Sequence, residues 1–292
     1  MMSENRLEKV LVPLDMGVGA QKLLSAVEEI ARIGVEEIAL LHVVNVRDAA
    51  ADPHIAKYDA IMLTTWKERL LACGVQKVTT EVANGIPWIE ILERSEQESP
   101  SLIVLGSHGR SMVSRMLLGS TTEQVIRKAR TPALILRMKI IAEDGTMVCR
   151  LATDRILRRI MYLTDFSEYA TSCLPCLAWM VPARPEEVLV VHIQDFRPFS
   201  DVTPAQREEF NRRDAERLKA LQKQLESAGF GNVTPVLKIG NAIIEILDLA
   251  REREVSLIVM GARGMHGIPE RLLGGVTDAV VHRSGSHVLV VR

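Results

Sequence analysis

Apolar positions along this chain follow two alternating rhythms. Short, nearly continuous runs of Val, Ile and Leu are separated by longer stretches in which apolar residues recur every three or four positions. The runs predict strands covered on both faces, and the longer stretches predict amphipathic helices. In the first half the strands fall near 9–14, 37–44, 75–82, 101–106 and 133–137, and the helices near 19–33, 56–73, 87–98 and 120–130. The second half repeats the order. Its best delimited helix, 204–228, opens at Thr203-Pro204 and stops at Gly229. Such alternation predicts a parallel sheet with right-handed crossovers and helices on both faces.

The halves are copies of one another. Ser101-Leu102-Ile103-Val104-Leu105-Gly106 matches Ser256-Leu257-Ile258-Val259-Met260-Gly261 at an offset of 155. Leu117-Leu118-Gly119 matches Leu272-Leu273-Gly274 at the same offset. Nearer the start of each half the offset falls to 150, where Asp15 pairs with Asp165 and Leu41-His42-Val43 with Val191-His192-Ile193. A period of about 150 residues means two homologous domains, not a solenoid of small units. The expected division is a first domain over 1–140, a linker over 141–157 and a second domain over 158–292. Within the linker Glu143-Asp144-Gly145-Thr146 is a turn signal, followed by an expected short strand at 147–151. The last strand of each half has no following helix in its half, so it lies at a sheet edge and wants a partner. Pairing within the chain (a pseudo-dimer) and pairing between chains (a homodimer) both meet that need.

Composition narrows the class. The 292 residues suit two domains, and 47% hydrophobic with 25% charged residues exclude a disordered chain and a coiled coil. Lys and Arg number 36 against 37 Asp and Glu, so no nucleic-acid partner is expected. No uncharged apolar run reaches about 18 residues, so no membrane association through a spanning helix is expected. Residues 1–6 lead into a short strand-like run, so no signal peptide is expected there. Four cysteines make no disulfide framework, and the expected compartment is the cytoplasm.

Candidate chemistry gathers where strands end. In an open parallel sheet the ligand crevice lies beyond the strand carboxyl ends, at the switch in strand order. In a five-strand doubly wound unit that point lies between the first and fourth strands. The loop after strand one holds Val12-Pro13-Leu14-Asp15, and the segment after strand four runs Gly106-x2-Gly109-x9-Gly119-Ser120-Thr121-Thr122. Glycines there let backbone N–H groups approach a ribose or phosphate closely. A helix opening at Gly119-Ser120 favours an anion. Ser120-Thr121-Thr122-Glu123 also reads as a capping box, with Ser120 as N-cap and Glu123 at N3. These residues alone leave capping and phosphate binding both open.

The spacing Gly-x2-Gly-x9-Gly-Ser/Thr resembles the nucleotide-binding signature of the universal stress protein family, and Gly106, Gly109, Gly119 and Ser120 match it position for position. Leu11-Val12-Pro13-Leu14-Asp15, Leu40-Leu41-His42-Val43 and Thr131-Pro132-Ala133-Leu134-Ile135 are similar to that family as well. The resemblance covers nearly the whole chain as a tandem pair. It implies an α/β protein of two tandem doubly wound five-stranded parallel sheets, adenine-nucleotide α-hydrolase-like, with strand order 3-2-1-4-5. It also implies binding of ATP, AMP or a related adenine nucleotide. By position, Pro13, Leu14, Asp15 and Val43 would lie by the base. Gly106, His108 and Gly109 would lie by the ribose and phosphates. Gly119, Ser120, Thr121 and Thr122 would hold phosphates, with Arg110 in reach of phosphate oxygens.

In the second half the matching positions are Thr164, Asp165, Ile193, Gly261, Gly264, Gly274, Gly275 and Thr277. Gly275 stands where the signature has Ser or Thr. Read as an N-cap, Gly costs the fold only about a few tenths of a kcal/mol. A lost hydrogen bond to a charged phosphate costs about 1.5–3 kcal/mol. The second site is therefore expected to be the weaker, and Phe166 is a candidate to block it.

Other features carry less. Gly17-Val18-Gly19 lacks the third glycine of a dinucleotide fingerprint, Lys22 standing there. Cys173-Leu174-Pro175-Cys176 falls inside a predicted helix, where Pro175 is expected to introduce a kink and the thiols to be buried and inert. His42 and His192, flanked by apolar residues, are expected to pack near the crevice. No Ser/His/Asp arrangement and no Cys/His metal spacing is identifiable, and Mg²⁺ would accompany ATP through nucleotide oxygens and water. The resulting expectation is a regulatory adenine-nucleotide-binding protein of the stress response, with no catalytic residue assigned. Occupancy would bias its conformation or assembly. A slow ATPase and a nucleotide-free interaction module stand as alternatives.

Overall fold

The computed structural model describes residues 6–45, 55–107, 118–143, 146–195, 203–264 and 273–292. These fall into two units, 6–154 and 155–292. In the first, β1 (Lys9–Leu14), α1 (Ala20–Ala31), β2 (Glu37–Asn45), α2 (Ile55–Ala72), β3 (Lys77–Gly85), α3 (Pro87–Glu98), β4 (Leu102–Gly106), α4 (Ser120–Lys128) and β5 (Ala133–Leu136) follow in order. All pairings are parallel, in the order β3-β2-β1-β4-β5. The central strands carry the near-continuous apolar runs, and Val10, Leu11, Val12, Ile103 and Val104 are buried. Helix α1 covers the sheet with Leu23, Leu24, Val27 and Ile30, one helical stripe.

A hairpin then follows, β6 (Met138–Glu143) against β7 (Thr146–Leu151), antiparallel from Met138↔Leu151 to Glu143↔Thr146. The second of these strands covers the short strand expected at 147–151, and the hairpin reaches into the stretch expected as linker over 141–157. Met138, Ile140, Cys149 and Leu151 share one face by register. Met138 and Cys149 are buried, close to Gly19 before α1. A two-stranded ribbon is marginal alone, so this apolar seat is what makes it a structured part of the first unit.

The second unit holds β8 (Arg159–Leu163), α5 (Glu168–Thr171), α6 (Cys173–Ala178), β9 (Glu187–Gln194), α7 (Pro204–Ser227), β10 (Val233–Ile239), α8 (Ala242–Glu252), β11 (Leu257–Gly261), α9 (Gly275–Arg283) and β12 (His287–Val291). Its parallel order is β10-β9-β8-β11-β12. The helix expected after β8 is broken at Ser172. Pro175 explains the break, because it lacks an N–H and its ring crowds the carbonyl four residues back. Helix α7 opens with a reciprocal capping box between Thr203 and Gln206. In each unit the chain leaves β1 or β8 toward one side of the sheet and β4 or β11 toward the other. Their carboxyl ends therefore flank a topological switch.

Candidate functional site

The crevice is built from residues that the strands simply run out into. In the second unit β8 runs out at Leu163 into Thr164-Asp165, and Asp165 closes the turn on itself. Its Oδ1 accepts from the Ser167 N–H at 3.0 Å and the Ser167 hydroxyl at 2.5 Å. Asp15 does the same toward the Gly17 N–H at 3.0 Å. The next residue in each turn is left-handed, Met16 at φ 53° and Phe166 at φ 61°. Both copies of this loop therefore share one sparsely populated backbone conformation.

The glycines are needed for approach. A Cβ on Gly261 would stand 2.7 Å from the Tyr169 carbonyl oxygen, and one on Gly264 would stand 2.6 Å from Asp165 Oδ2. The following helix is pinned back onto the strand end. The Gly274 N–H donates to the Ala262 carbonyl at 2.9 Å and the Thr277 hydroxyl to the Gly261 carbonyl at 2.9 Å. The first unit repeats this, with the Gly119 N–H on Ser107 at 2.8 Å and the Thr122 hydroxyl on Gly106 at 2.7 Å. These ties set the helix start and correct the expected capping box. Gly119 and Gly274 are the N-caps, both extended, and no side chain caps either helix. Ser120 and Gly275 are thus the first helical residues, Ser120 exposed and Gly275 with open space where a Cβ would sit.

A cavity of about 570 Å³ opens at this switch point in the second unit. All eight second-half positions named from the sequence line it: Thr164, Asp165, Ile193, Gly261, Gly264, Gly274, Gly275 and Thr277. Leu163, Val191, Ile246 and Met260 add apolar lining, while Phe210, Arg213 and Asp214 reach it from α7. Phe166 is not among the lining residues. Its ring packs on His192 with centroids 4.7 Å apart, beneath the Arg217 guanidinium. In the first unit Pro13 and Leu14 end β1 with Asp15 next, Val43 lies on β2, Gly106 ends β4, and Gly119 to Thr122 cap and open α4 at the corresponding switch point. His108, Gly109 and Arg110 lie outside the described residues.

The histidines lie near the crevice as expected, but their partners Asp59 and Asp214, and Arg263, were not read from the sequence. His42 Nδ1 donates to the Leu14 carbonyl at 2.7 Å, and its Nε2 lies 3.0 Å from Asp59 Oδ2 on α2. His192 repeats this with the Thr164 carbonyl at 2.8 Å and Asp214 Oδ2 at 3.5 Å, where the Gln194 amide also donates at 2.8 Å. Each histidine so ties the carbonyl just before the crevice aspartate to the covering helix. The signal was present. Asp59 and Asp214 stand at the 155-residue offset, each in phase with buried leucines one and three turns on (Leu63 and Leu70, Leu218 and Leu225). Arg263, between the two signature glycines, lines the cavity and donates to the Tyr169 hydroxyl at 3.2 Å. The position of His108 in the other half was its sequence-level pointer.

Burial pushes the Cys173 thiol well above its ordinary range and the Cys176 thiol up to about 12, as expected for inert cysteines. Among the described residues no cluster of three or more His, Cys, Asp or Glu side chains is placed to hold a metal ion.

A duplicated open sheet with signature glycines converging on its switch point has a counterpart among known families. The model of the universal stress protein family matches residues 6–137 and 157–292. The chain belongs to the universal stress protein family. Single-domain relatives match about half of it. Universal stress protein MJ0577 of Methanocaldococcus jannaschii is 30% identical over 156 residues, 45% of this chain and 96% of that one. YxiE of Bacillus subtilis is 32% identical over 146 residues, 44% and 98%. Universal stress protein Rv2005c of Mycobacterium tuberculosis is 25% identical over 238 residues, 77% of this chain and 72% of that one. A universal stress protein structure from Archaeoglobus fulgidus superposes over 99% of both chains with a TM-score of 0.72 at 23% identity. The adenine-nucleotide α-hydrolase-like fold of the family is thus that of this tandem universal stress protein. No helix among its described residues is long and apolar enough to cross a membrane.

Proposed function

We propose that this universal stress protein binds adenine nucleotide at the strand ends of each unit and acts as a cytoplasmic, ligand-responsive regulator in the stress response. The observation that carries the reading is the cavity of about 570 Å³, where three signature glycines, the β8 aspartate and a helix N-terminus meet around an apolar lining. Apolar walls suit a base, and the free N–H groups of the helix opening suit a phosphate. In the first unit Pro13, Leu14, Asp15 and Val43 take the base side, and Gly106, Gly119, Ser120 and Thr121 the phosphate side. Thr122 and Thr277 hold the helix to the strand rather than the ligand. Mg²⁺ enters with ATP, on nucleotide oxygens and water. Nucleotide acts by its differential affinity for two conformations or assemblies.

The test is mass spectrometry of ligand released by denaturing freshly purified protein, followed by calorimetric titration of stripped protein with ATP and AMP. Adenine nucleotide at one or two per chain is expected. Gly264→Ala pushes against the Asp165 carboxylate, and is expected to weaken binding in the second unit about tenfold or more, a loss of about 1.4 kcal/mol or more. No released nucleotide, together with no heat on titration, would sink the reading.

A further inference from the structure

We infer that the second unit's crevice is a single-phosphate site, which takes an adenine nucleoside monophosphate in preference to a triphosphate. The inference rests on the nucleotide reading above and concerns how much anion the site can hold. The first turn of α4 reads Ser120-Thr121-Thr122, whereas that of α9 reads Gly275-Val276-Thr277. The exposed Ser120 hydroxyl has no counterpart at Gly275. Thr121 is replaced by Val276, a half-exposed apolar side chain that lines the cavity itself. The third hydroxyl, on Thr277, is buried and donates to the Gly261 carbonyl at 2.9 Å. An anion at α9 therefore meets backbone N–H groups without hydroxyl donors from that turn. Those N–H groups and the helix dipole suit one phosphate at close range and fall off within the first turn.

The charges point the same way. Asp165 and Asp195 line this cavity with Asp214, against Arg213 and Arg263. Asp165 Oδ2 lies against Gly264, the glycine that would approach a phosphate. Arg263 is drawn to Tyr169, its guanidinium 5.4 Å from the ring and bonded to the hydroxyl. These five side chains sum to a net charge of -1, so every further negative charge on the ligand is opposed. A triphosphate, about two charges more negative, has to lie among carboxylates with two hydroxyl donors fewer than the first unit offers.

The experiment uses the full chain and photoactivated 8-azidoadenosine monophosphate, with labelled peptides assigned to either unit by mass spectrometry. Unlabelled AMP or ATP competes, and peptides of the first unit are the reference in the same tube. In the second unit AMP is expected to displace the label at about a tenfold lower concentration than ATP. The double variant Gly275→Ser, Val276→Thr returns both hydroxyls at positions with room for them. It is expected to lower the ATP-to-AMP concentration ratio there about tenfold or more, the effect of one bond to a charged phosphate. Equal or better displacement by ATP in the second unit overturns the inference. So does a double variant whose ratio does not move, or label confined to the first unit. Label in neither unit defeats the nucleotide reading itself, and is told apart by the silent reference.

Discussion

Thr122 and Thr277 show how a single hydroxyl can decide where a site lies. Each donates to the carbonyl of the glycine that ends the preceding strand, and both are buried. Replacing either by Val keeps the β-branched shape and leaves a carbonyl without its partner. The expected loss is about 1–3 kcal/mol of unfolding free energy, read from urea midpoints, with Thr→Ser retaining most of it. The signature glycines and both crevice aspartates were legible in the sequence because the family resemblance and the internal repeat mark their positions. The latch was not, since Ser120-Thr121-Thr122-Glu123 satisfies a capping-box pattern equally well. The choice between them depends on the Gly119 N–H bond to Ser107, a contact across 12 residues of chain. Phe210 and Arg213 were missed for a related reason. They reach the cavity from α7, where the repeat offset changes from 150 to 155, so no residue-by-residue transfer pointed to them.

At the level of elements, helices α5 and α6 carry a consequence for alkaline stability. The Cys173 and Cys176 thiols and the Tyr162 phenol are all pushed up by burial. An unfolded thiol titrates near 9.0, and burial pushes Cys176 in the fold up to about 12. Between those values the unfolded chain holds fewer protons at these sites than the folded one, so stability falls as pH rises. The slope is up to about 1.4 kcal/mol per pH unit for each thiol. Below the unfolded value the contribution is fully present. Urea midpoints at about pH 8 and about pH 10.5 are expected to differ less for Cys173→Ala, Cys176→Ala than for the parent chain. An unchanged difference would place the alkaline loss elsewhere. The cap of α7 is a second check: Thr203→Ala removes half of a reciprocal pair and is expected to cost about 1 kcal/mol. Parallel strands and long helices were legible at this scale because their apolar periods are strong. Of the β6–β7 hairpin only the second strand was legible, because the hairpin has no copy in the second half and its single apolar face spans only a few positions on each strand.

For the whole molecule, the duplication gives each unit an apolar last strand on which assembly can turn. Within its unit β12 pairs with β11 on one side. His287 and Val291 direct their ladder groups to that partner, through the His287 N–H to Ser256 and the Val291 carbonyl to Ala262. By strand alternation the N–H and carbonyl groups of Val288 and Val290 point away from β11. In the first unit Pro132 and Leu136 face β4, so Ala133 and Ile135 point away likewise. Edges of this kind, built of Val, Leu and Ile, associate unless something covers them. If the two last strands satisfy each other within one chain, the full protein sediments without exchanging partners, whereas residues 155–292 alone lack the matching strand and pair with their own kind. Sedimentation velocity is expected to find that fragment dimeric at tens of micromolar, roughly the range of a standard-sized interface of modest affinity. Val290→Pro strips one outward donor while leaving the β11 ladder intact, and is expected to return the fragment to monomer. A fragment that stays monomeric with β12 unaltered would show that the edge needs no strand partner, and nucleotide would then have to act within each unit rather than through assembly.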